Sequence, residues 1–118
     1  MVNDYRDVVK NERTVCVFTN QTVLQQNLCI RDDKGSVSHT GIWKLNMKRM
    51  EGVKKVIVYY RHDKINEIIV GDFVGSYQGT RPLGDIGRYI QFDNIRRYQT
   101  NNKWDVFCKT GANPVRYI

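Results

Sequence analysis

The sequence has few of the residues from which active sites are usually built. Its 118 residues include two histidines and three cysteines, with no Cys-x-x-Cys pair and no Cys/His cluster. Metal sites and disulfide frameworks show recognisable spacings of these residues, so neither is predicted. No GxSxG elbow, P-loop, HExxH or GxGxxG motif occurs either. The sequence therefore predicts a protein that is not an enzyme and that holds no metal or cofactor.

The acidic residues that could serve catalysis are also dispersed. His62 precedes Asp63 in a polar turn, where a solvated pair is more common than a general base. A nuclease would need clustered carboxylates to hold a divalent ion. The candidates lie apart along the chain: Glu67, Asp72, Asp93 and Asp105. An enzymatic function would therefore require a carboxylate cluster that only the fold could assemble.

Long apolar runs are missing as well. No stretch approaches the roughly 20 residues that span a bilayer. The initial Met1 is followed by the polar VNDYRDVVKNER rather than by the apolar region of a signal peptide. No composition shift, repeat or low-complexity segment divides the chain, whose length suits one domain. We expect a single cytoplasmic domain over residues 1–118, without a membrane partner.

The charge has one predominant sign. The chain carries 19 Lys and Arg against 12 Asp and Glu, which gives a formal net charge of +7. These basic residues are distributed through segments that resemble strands and turns rather than gathered in a tail. This pattern favours contact with a polyanion over a charge that merely keeps the protein in solution. Nucleic acid is therefore the predicted partner.

β-branched and aromatic residues dominate most of the chain and predict strands. The predicted strands are RTVCVFT, GIWKLN, VKKVIVYYR, NEIIVGDFVGSY, GRYIQFDNIRRY and KWDVFCK. Short helices are predicted over NDYRDVVKNE, capped by Asn3, and over QTVLQQNLCI, while MKRMEG forms one helical turn that ends at Gly52. The expected fold is α+β: a small mixed or antiparallel β-barrel of five to six strands with short flanking helices.

Aromatic rings accompany the cations on these strands. Tyr59 and Tyr60 are adjacent, so they point to opposite faces of one strand. Phe73 and Tyr77 share a face provided that Gly75 introduces no bulge. Each ring is either core or part of a pocket, and the residues alone leave both alternatives open. Rings beside cations are how proteins hold unpaired nucleotides.

Three segments taken together resemble the PUA-like domains, especially the EVE-type readers of modified bases. They are GIWKLNMKRMEGVKKVIVYYR, NEIIVGDFVGSY and RYIQFDNI, within residues 41–95. The resemblance implies a PUA-like barrel with an aromatic pocket that accepts a base flipped out of DNA. At the matching positions it implies that Trp43, Asn46 and Tyr60 line the pocket, and that Lys48 and Arg49 contact phosphate.

Further candidates come from elsewhere in the chain. Trp104 lies among basic residues near the C-terminus and is a fourth candidate for the base pocket, while Arg61 and Arg88 are candidates for phosphate contact. The predicted function is a non-catalytic module that recognises a modified base, in DNA rather than RNA. Because such modules resemble the specificity domains of modification-dependent restriction systems, a nuclease domain or subunit is a further expected partner.

Two alternatives stay open. One is an RNA-binding module. The other is a small interaction protein, such as an inhibitor from phage or defence systems, that binds a protein through exposed rings. Binding to phosphates weakens steeply as salt rises, whereas an apolar protein interface responds far less, so salt dependence separates these classes.

Overall fold

The computed structural model describes residues 1–20, 28–61, 66–81, 84–108 and 113–118. They form a six-stranded mixed sheet of order β2-β5-β4-β3-β1-β6. The strands are β1 (Thr14–Asn20), β2 (Ser38–His39), β3 (Lys55–Arg61), β4 (Asn66–Thr80), β5 (Ile86–Thr100) and β6 (Val115–Tyr117). A 3-10 turn (Tyr5–Asp7) and a short helix α1 (Trp104–Phe107) accompany them. β1 runs parallel to β3, and the other neighbours are antiparallel.

The sheet buries apolar side chains on both of its faces. We call one the front face, whose core includes Val15, Val17, Val56, Val58 and Phe92. The other is the back face, whose core includes Cys16, Ile57, Tyr59, Val70 and Phe107. A central strand covered on both sides reads as a continuous apolar run, which is why VIVYY in β3 does not alternate with polar residues.

The predicted closed barrel is wrong, because the sheet is open. Within the described residues its edges are β2 and β6, which have two and three residues and lie at opposite ends of the strand order. A barrel has one interior and edges that pair with each other. This sheet instead has a core on each face, and its edge strands are too short to form a closing ladder. The mixed six-stranded sheet with few short helices is as expected.

The long hairpin of β4 and β5 bends at a bulge beside Gly71. The pairing register shifts between Val70 and Asp72. A Cβ on Gly71 would lie 2.5 Å from Phe92 Cδ2 and 2.8 Å from the backbone oxygen of Asp93. Only glycine allows the two strands to approach so closely. Gly71 therefore accommodates the bulge in β4.

A second register shift, between Phe73 and Gly75, changes which faces the following rings occupy. Phe73 packs on the front-face core. Tyr77 instead stacks on Tyr89, with ring centroids 4.5 Å apart. The expectation that Phe73 and Tyr77 share a face assumed that no bulge separates them, and that assumption fails here.

The segment KWDVFCK was expected to be a strand but contains helix α1. Strand spacing would place Trp104 and Val106 on one face, yet Val106 is 58% exposed. Helical spacing places Trp104 and Phe107 together against the ring of Tyr59, at centroid distances of 5.5 and 5.8 Å. The residues fit either period, and burial against Tyr59 selects the helix.

Two other predicted elements are shorter than expected. The strand over GIWKLN is a single bridge between Trp43 and Arg88. The N-terminal helix is reduced to the turn Tyr5–Asp7, and Asp4 rather than Asn3 caps it. This single bridge to β5 is enough to fix the backbone position of Trp43.

The basic turn is confirmed. Residues 47–52 form hydrogen-bonded turns, which end at Gly52 with a φ of 78°, the left-handed conformation that glycine favours. The helix predicted over QTVLQQNLCI lies largely outside the described residues, and the His62 turn lies outside them altogether. No helix in the described part of the chain is long and apolar enough to cross a membrane.

Candidate functional site

A groove of about 420 Å³ opens beside the front-face core. Trp43, Val115 and Tyr117 line it and also pack against that core. The groove combines two aromatic rings, three cations and two amides: Trp43, Tyr117, Lys44, Arg49, Arg81, Asn46 and Asn113. We call it the Trp43 groove. Three of the residues predicted from sequence therefore meet here, namely Trp43, Asn46 and Arg49.

Trp43 is held by its backbone and by a close approach at Gly87. Its N–H donates to the carbonyl of Arg88 at 2.9 Å, and the N–H of Arg88 donates back at 2.8 Å. A Cβ on Gly87 would lie 2.9 Å from the Trp43 carbonyl oxygen and 2.6 Å from Ile42 Cγ2. The indole Nε1 is buried without a hydrogen-bond partner among the described residues. The ring is thus fixed by packing and backbone pairing rather than by its own polar atom.

Asn46 organises the basic turn that carries Arg49. Its side-chain Oδ1 accepts a hydrogen bond from the Arg49 backbone N–H at 3.2 Å. Its backbone carbonyl accepts from the N–H groups of Arg49 and Met50 at 3.0 and 3.1 Å. Its own N–H donates to the hydroxyl of Tyr117 at 3.0 Å. Asn46 therefore caps the turn and connects it to β6. These hydrogen bonds fix the position of the Arg49 backbone.

Two arginines lie over the ring of Tyr117. The guanidinium carbons of Arg49 and Arg13 are 4.8 and 5.8 Å from the ring centroid. Arg13 Nη2 also donates to the backbone oxygen of Arg49 at 2.9 Å. Neither arginine forms an ion pair with an acidic group of the described chain. Stacking on a ring leaves guanidinium N–H groups available. These arginines can therefore bind an anion without first breaking an ion pair with a carboxylate.

The other two cations of the groove share one carboxylate. Lys44 Nζ and Arg81 Nη1 lie 2.9 and 3.3 Å from Asp85 Oδ2. The hydrogen bond from Lys44, together with the charge of Arg81, holds the pKa of Asp85 below its usual value of 3.8 despite the opposing effect of desolvation. Asp85 therefore stays ionised at neutral pH and partly neutralises this side of the groove.

The remaining candidates for the base pocket lie elsewhere. Tyr60 is buried on β3 and does not line the Trp43 groove. Trp104 packs with the back-face core, where its ring centroid lies 5.6 Å from that of Phe18. The structure brings Trp43 and Asn46 together and places Tyr60 and Trp104 apart from them.

The adjacent tyrosines of β3 do point to opposite faces. Tyr59 belongs to the back face, where its hydroxyl donates to the Asn102 carbonyl at 2.7 Å. Burial there raises the pKa of Tyr59 to about 12.

Three of the four predicted phosphate-contacting residues do not line the groove. Lys48 is exposed on the basic turn, and Arg61 is exposed at the end of β3. Arg88 is half-buried and donates to Ser76, through Nε to Oγ at 2.9 Å and through Nη2 to the backbone oxygen at 3.1 Å. Of the four, Arg49 alone lines the groove.

Sequence reasoning missed Arg13 and Tyr117 as parts of this site. Their proximity to Trp43 depends on the pairing of β1 with β6, which places Val15 opposite Tyr117. No local sequence motif predicts the pairing of β1 with β6.

No protein-family model matches this chain, and no curated protein or solved structure matches it at a significant level. In the part of the chain that the structure describes, no group of three or more His, Cys, Asp or Glu residues is placed to hold a metal ion.

Proposed function

We propose that this chain is a non-catalytic nucleic-acid-binding module that holds an unpaired base in the Trp43 groove. The observation that carries the proposal is the meeting of Trp43, Tyr117 and Arg49 in one groove, with the Arg13 guanidinium carbon 5.8 Å from the Tyr117 ring centroid. Aromatic faces beside cations stack bases and contact phosphates, and this combination tolerates any base sequence. The net charge of +7 adds a long-range attraction to the same class of ligand.

The finer proposal is that the base is modified and is flipped out of a DNA duplex. The resemblance to EVE-type readers suggests this ligand, and a nuclease domain or subunit would then act beside the module. Flipping costs a few kcal/mol of unstacking, which stacking in the groove and contacts to phosphate can offset. The Nδ2 group of Asn46 has no acceptor among the described residues, so it is available to a base edge.

The test is binding to labelled duplexes, unmodified or carrying methylated or hydroxymethylated cytosine, measured by fluorescence anisotropy at two salt concentrations. Arg49→Gln is expected to weaken binding and to reduce the slope of log K against log salt by about 0.9, the value for one phosphate contact on a duplex. The matched control is Lys34→Gln, which removes the same charge from an exposed residue that does not line this groove.

Equal binding of Arg49→Gln and Lys34→Gln would contradict the proposal, as would a wild type that binds no nucleic acid at low salt. Equal affinity for all duplexes would contradict the proposal that a modified base is recognised. The proposal that the chain binds nucleic acid would survive that result.

Protein interaction is the second candidate function. Val74, Tyr77 and Ile86 are exposed on the part of the β4–β5 hairpin near its connecting loop. A protein partner would bury these exposed apolar side chains. Binding to such a partner would change little with salt and would be lost in a Val74→Ser/Ile86→Ser double variant that still folds.

A further inference from the structure

We infer that the ligand is a continuous single strand that passes from the Trp43 groove into a second basic groove around Arg13. This inference rests on the proposed nucleic-acid-binding function, and it replaces the single base flipped out of a duplex with a run of unpaired nucleotides. The second groove has a volume of about 640 Å³. It lies beside the back-face core, against which Tyr5 and Val9 pack. Its lining includes Tyr5, Arg6, Val9, Lys10, Glu12 and Arg13.

Arg13 joins the two grooves. It lines the second groove, while its guanidinium carbon lies 5.8 Å from the ring centroid of Tyr117 and its Nη2 donates to the Arg49 backbone oxygen. Tyr117 and Arg49 line the Trp43 groove. Arg13 therefore places one cation at the junction of the two grooves.

The second groove has the same chemistry as the first. Tyr5 supplies an aromatic ring, and the Arg6 guanidinium carbon lies 5.9 Å from its centroid. Two of the nearby charges are already engaged, since Arg6 Nη2 is 2.6 Å from Asp4 Oδ2 and Lys55 Nζ is 3.6 Å from Glu12 Oε2. Lys10 is exposed and forms no ion pair with the described residues.

Both grooves thus offer a ring and a cation with no carboxylate partner. In the second groove the cation without a carboxylate partner among the described residues is Lys10, and in the Trp43 groove it is Arg49. Arg13 lines the second groove and stacks on Tyr117 of the Trp43 groove. Successive bases stack and successive phosphates bind where such pairs recur along a path.

The position of the grooves selects a single strand over a duplex. One groove lies beside the front face and the other beside the back face, so the path passes the end of the sheet at which β1 begins. A duplex is stiff over about 150 base pairs and would touch one groove or span both with phosphates alone. A flexible single strand bends round this end and places bases in both grooves. One flipped base would occupy the Trp43 groove only.

The test compares thymidine oligonucleotides of about four and about twelve nucleotides, which fall within the site sizes of single-strand-binding folds. Uridine oligonucleotides of the same lengths separate DNA from RNA. The wild type should bind the longer strand more tightly. Lys10→Gln should remove most of that gain and lower the salt slope for the longer strand by about 0.7, the value per phosphate of a single strand. It should leave the shorter strand unaffected, while Arg49→Gln weakens both and Lys34→Gln neither.

Equal affinity for the two lengths, or identical behaviour of Lys10→Gln and Lys34→Gln, overturns the inference. If Arg49→Gln nevertheless weakens binding, the proposed function survives that result. If Arg49→Gln matches Lys34→Gln on every strand and duplex, the proposed function falls as well. Lys10 is exposed, so its replacement leaves the fold unchanged, and the melting temperature of each variant verifies this.

Discussion

The two tryptophans of this chain lie among basic residues in the sequence but have different surroundings in the fold. Trp104 is enclosed: its ring contacts Phe18 and Tyr59, and the Arg116 guanidinium lies 4.4 Å from its centroid. Its Nε1 donates to the Asn113 carbonyl at 3.2 Å. These contacts tie the partly buried ring of Trp104 to the back-face core.

Trp43 has the opposite character. Its ring lines a groove and its Nε1 has no partner in the described chain. The neighbouring Arg49 stacks on Tyr117 instead of on the tryptophan. An aromatic ring that is close to cations in the sequence can serve either packing or binding. The tertiary contacts of the ring decide between these roles, and the spacing in the sequence does not reveal those contacts. Under the proposed function, Trp104 serves stability and Trp43 serves ligand binding.

The largest expected effect is on the enclosed tryptophan. Trp104→Ala should lower the free energy of unfolding by about 3 kcal/mol, because it removes a large ring from an aromatic cluster. Val106→Ala on the same helix is the control and should change little, since Val106 is exposed. Denaturant unfolding of both variants measures the difference. A Trp104→Ala protein that is as stable as the wild type would remove the distinction between the two tryptophans.

The same cluster should weaken at alkaline pH. Burial raises the pKa of Tyr59 from 10.0 to about 12, so the unfolded chain loses this proton more readily than the folded one. The stability contributed by the neutral phenol is complete below pH 10 and is lost as pH rises towards 12. Tyr59→Phe should unfold with a smaller dependence on pH in that window. An unchanged dependence would mean that other groups cause the alkaline loss.

A smaller effect is expected at the junction of the groove with β6. Tyr117→Phe loses the hydroxyl that accepts from the Asn46 N–H, which should cost about 1 kcal/mol of stability. The ring stays, so stacking of Arg13 and Arg49 and the affinity for nucleic acid should be kept. Tyr117→Ala should weaken binding as well. If Tyr117→Phe binds as poorly as Tyr117→Ala, the ring is not what positions the arginines.

The smallest effect concerns the shared carboxylate. Asp85→Asn releases Lys44 and Arg81 and should raise the affinity for nucleic acid roughly two- to fivefold, the range of one exposed ion pair. Asp32→Asn is the matched control, because Asp32 pairs with Arg97 and lines neither groove. Anisotropy titrations compare the two variants. Equal gains would show that net charge, and not the local ion pair, controls binding.

Local patterns predicted the parts of this molecule that local sequence determines. Strands β1, β3, β4 and β5 and the turn at Gly52 follow from residues that are close in the chain. The grouping of Trp43, Asn46 and Arg49 was implied by the resemblance to EVE-type domains. Arg13 and Tyr117 could not be predicted, because a parallel pairing of β1 with β3 and a short edge strand bring them to the groove. The open sheet was missed for a related reason: alternation specifies faces but not whether edges meet.

The most direct test of the central claim uses the intrinsic fluorescence of the two tryptophans, the only ones in the chain. Trp104→Phe leaves Trp43 as the sole emitter, and Trp43→Phe leaves Trp104. Each protein is titrated with a twelve-nucleotide thymidine strand at low salt and again at high salt. If the Trp43 groove holds the ligand, emission from Trp43 is quenched in a salt-dependent manner while emission from Trp104 is unchanged. Quenching of Trp104 alone, or of neither, would contradict the assignment of the groove.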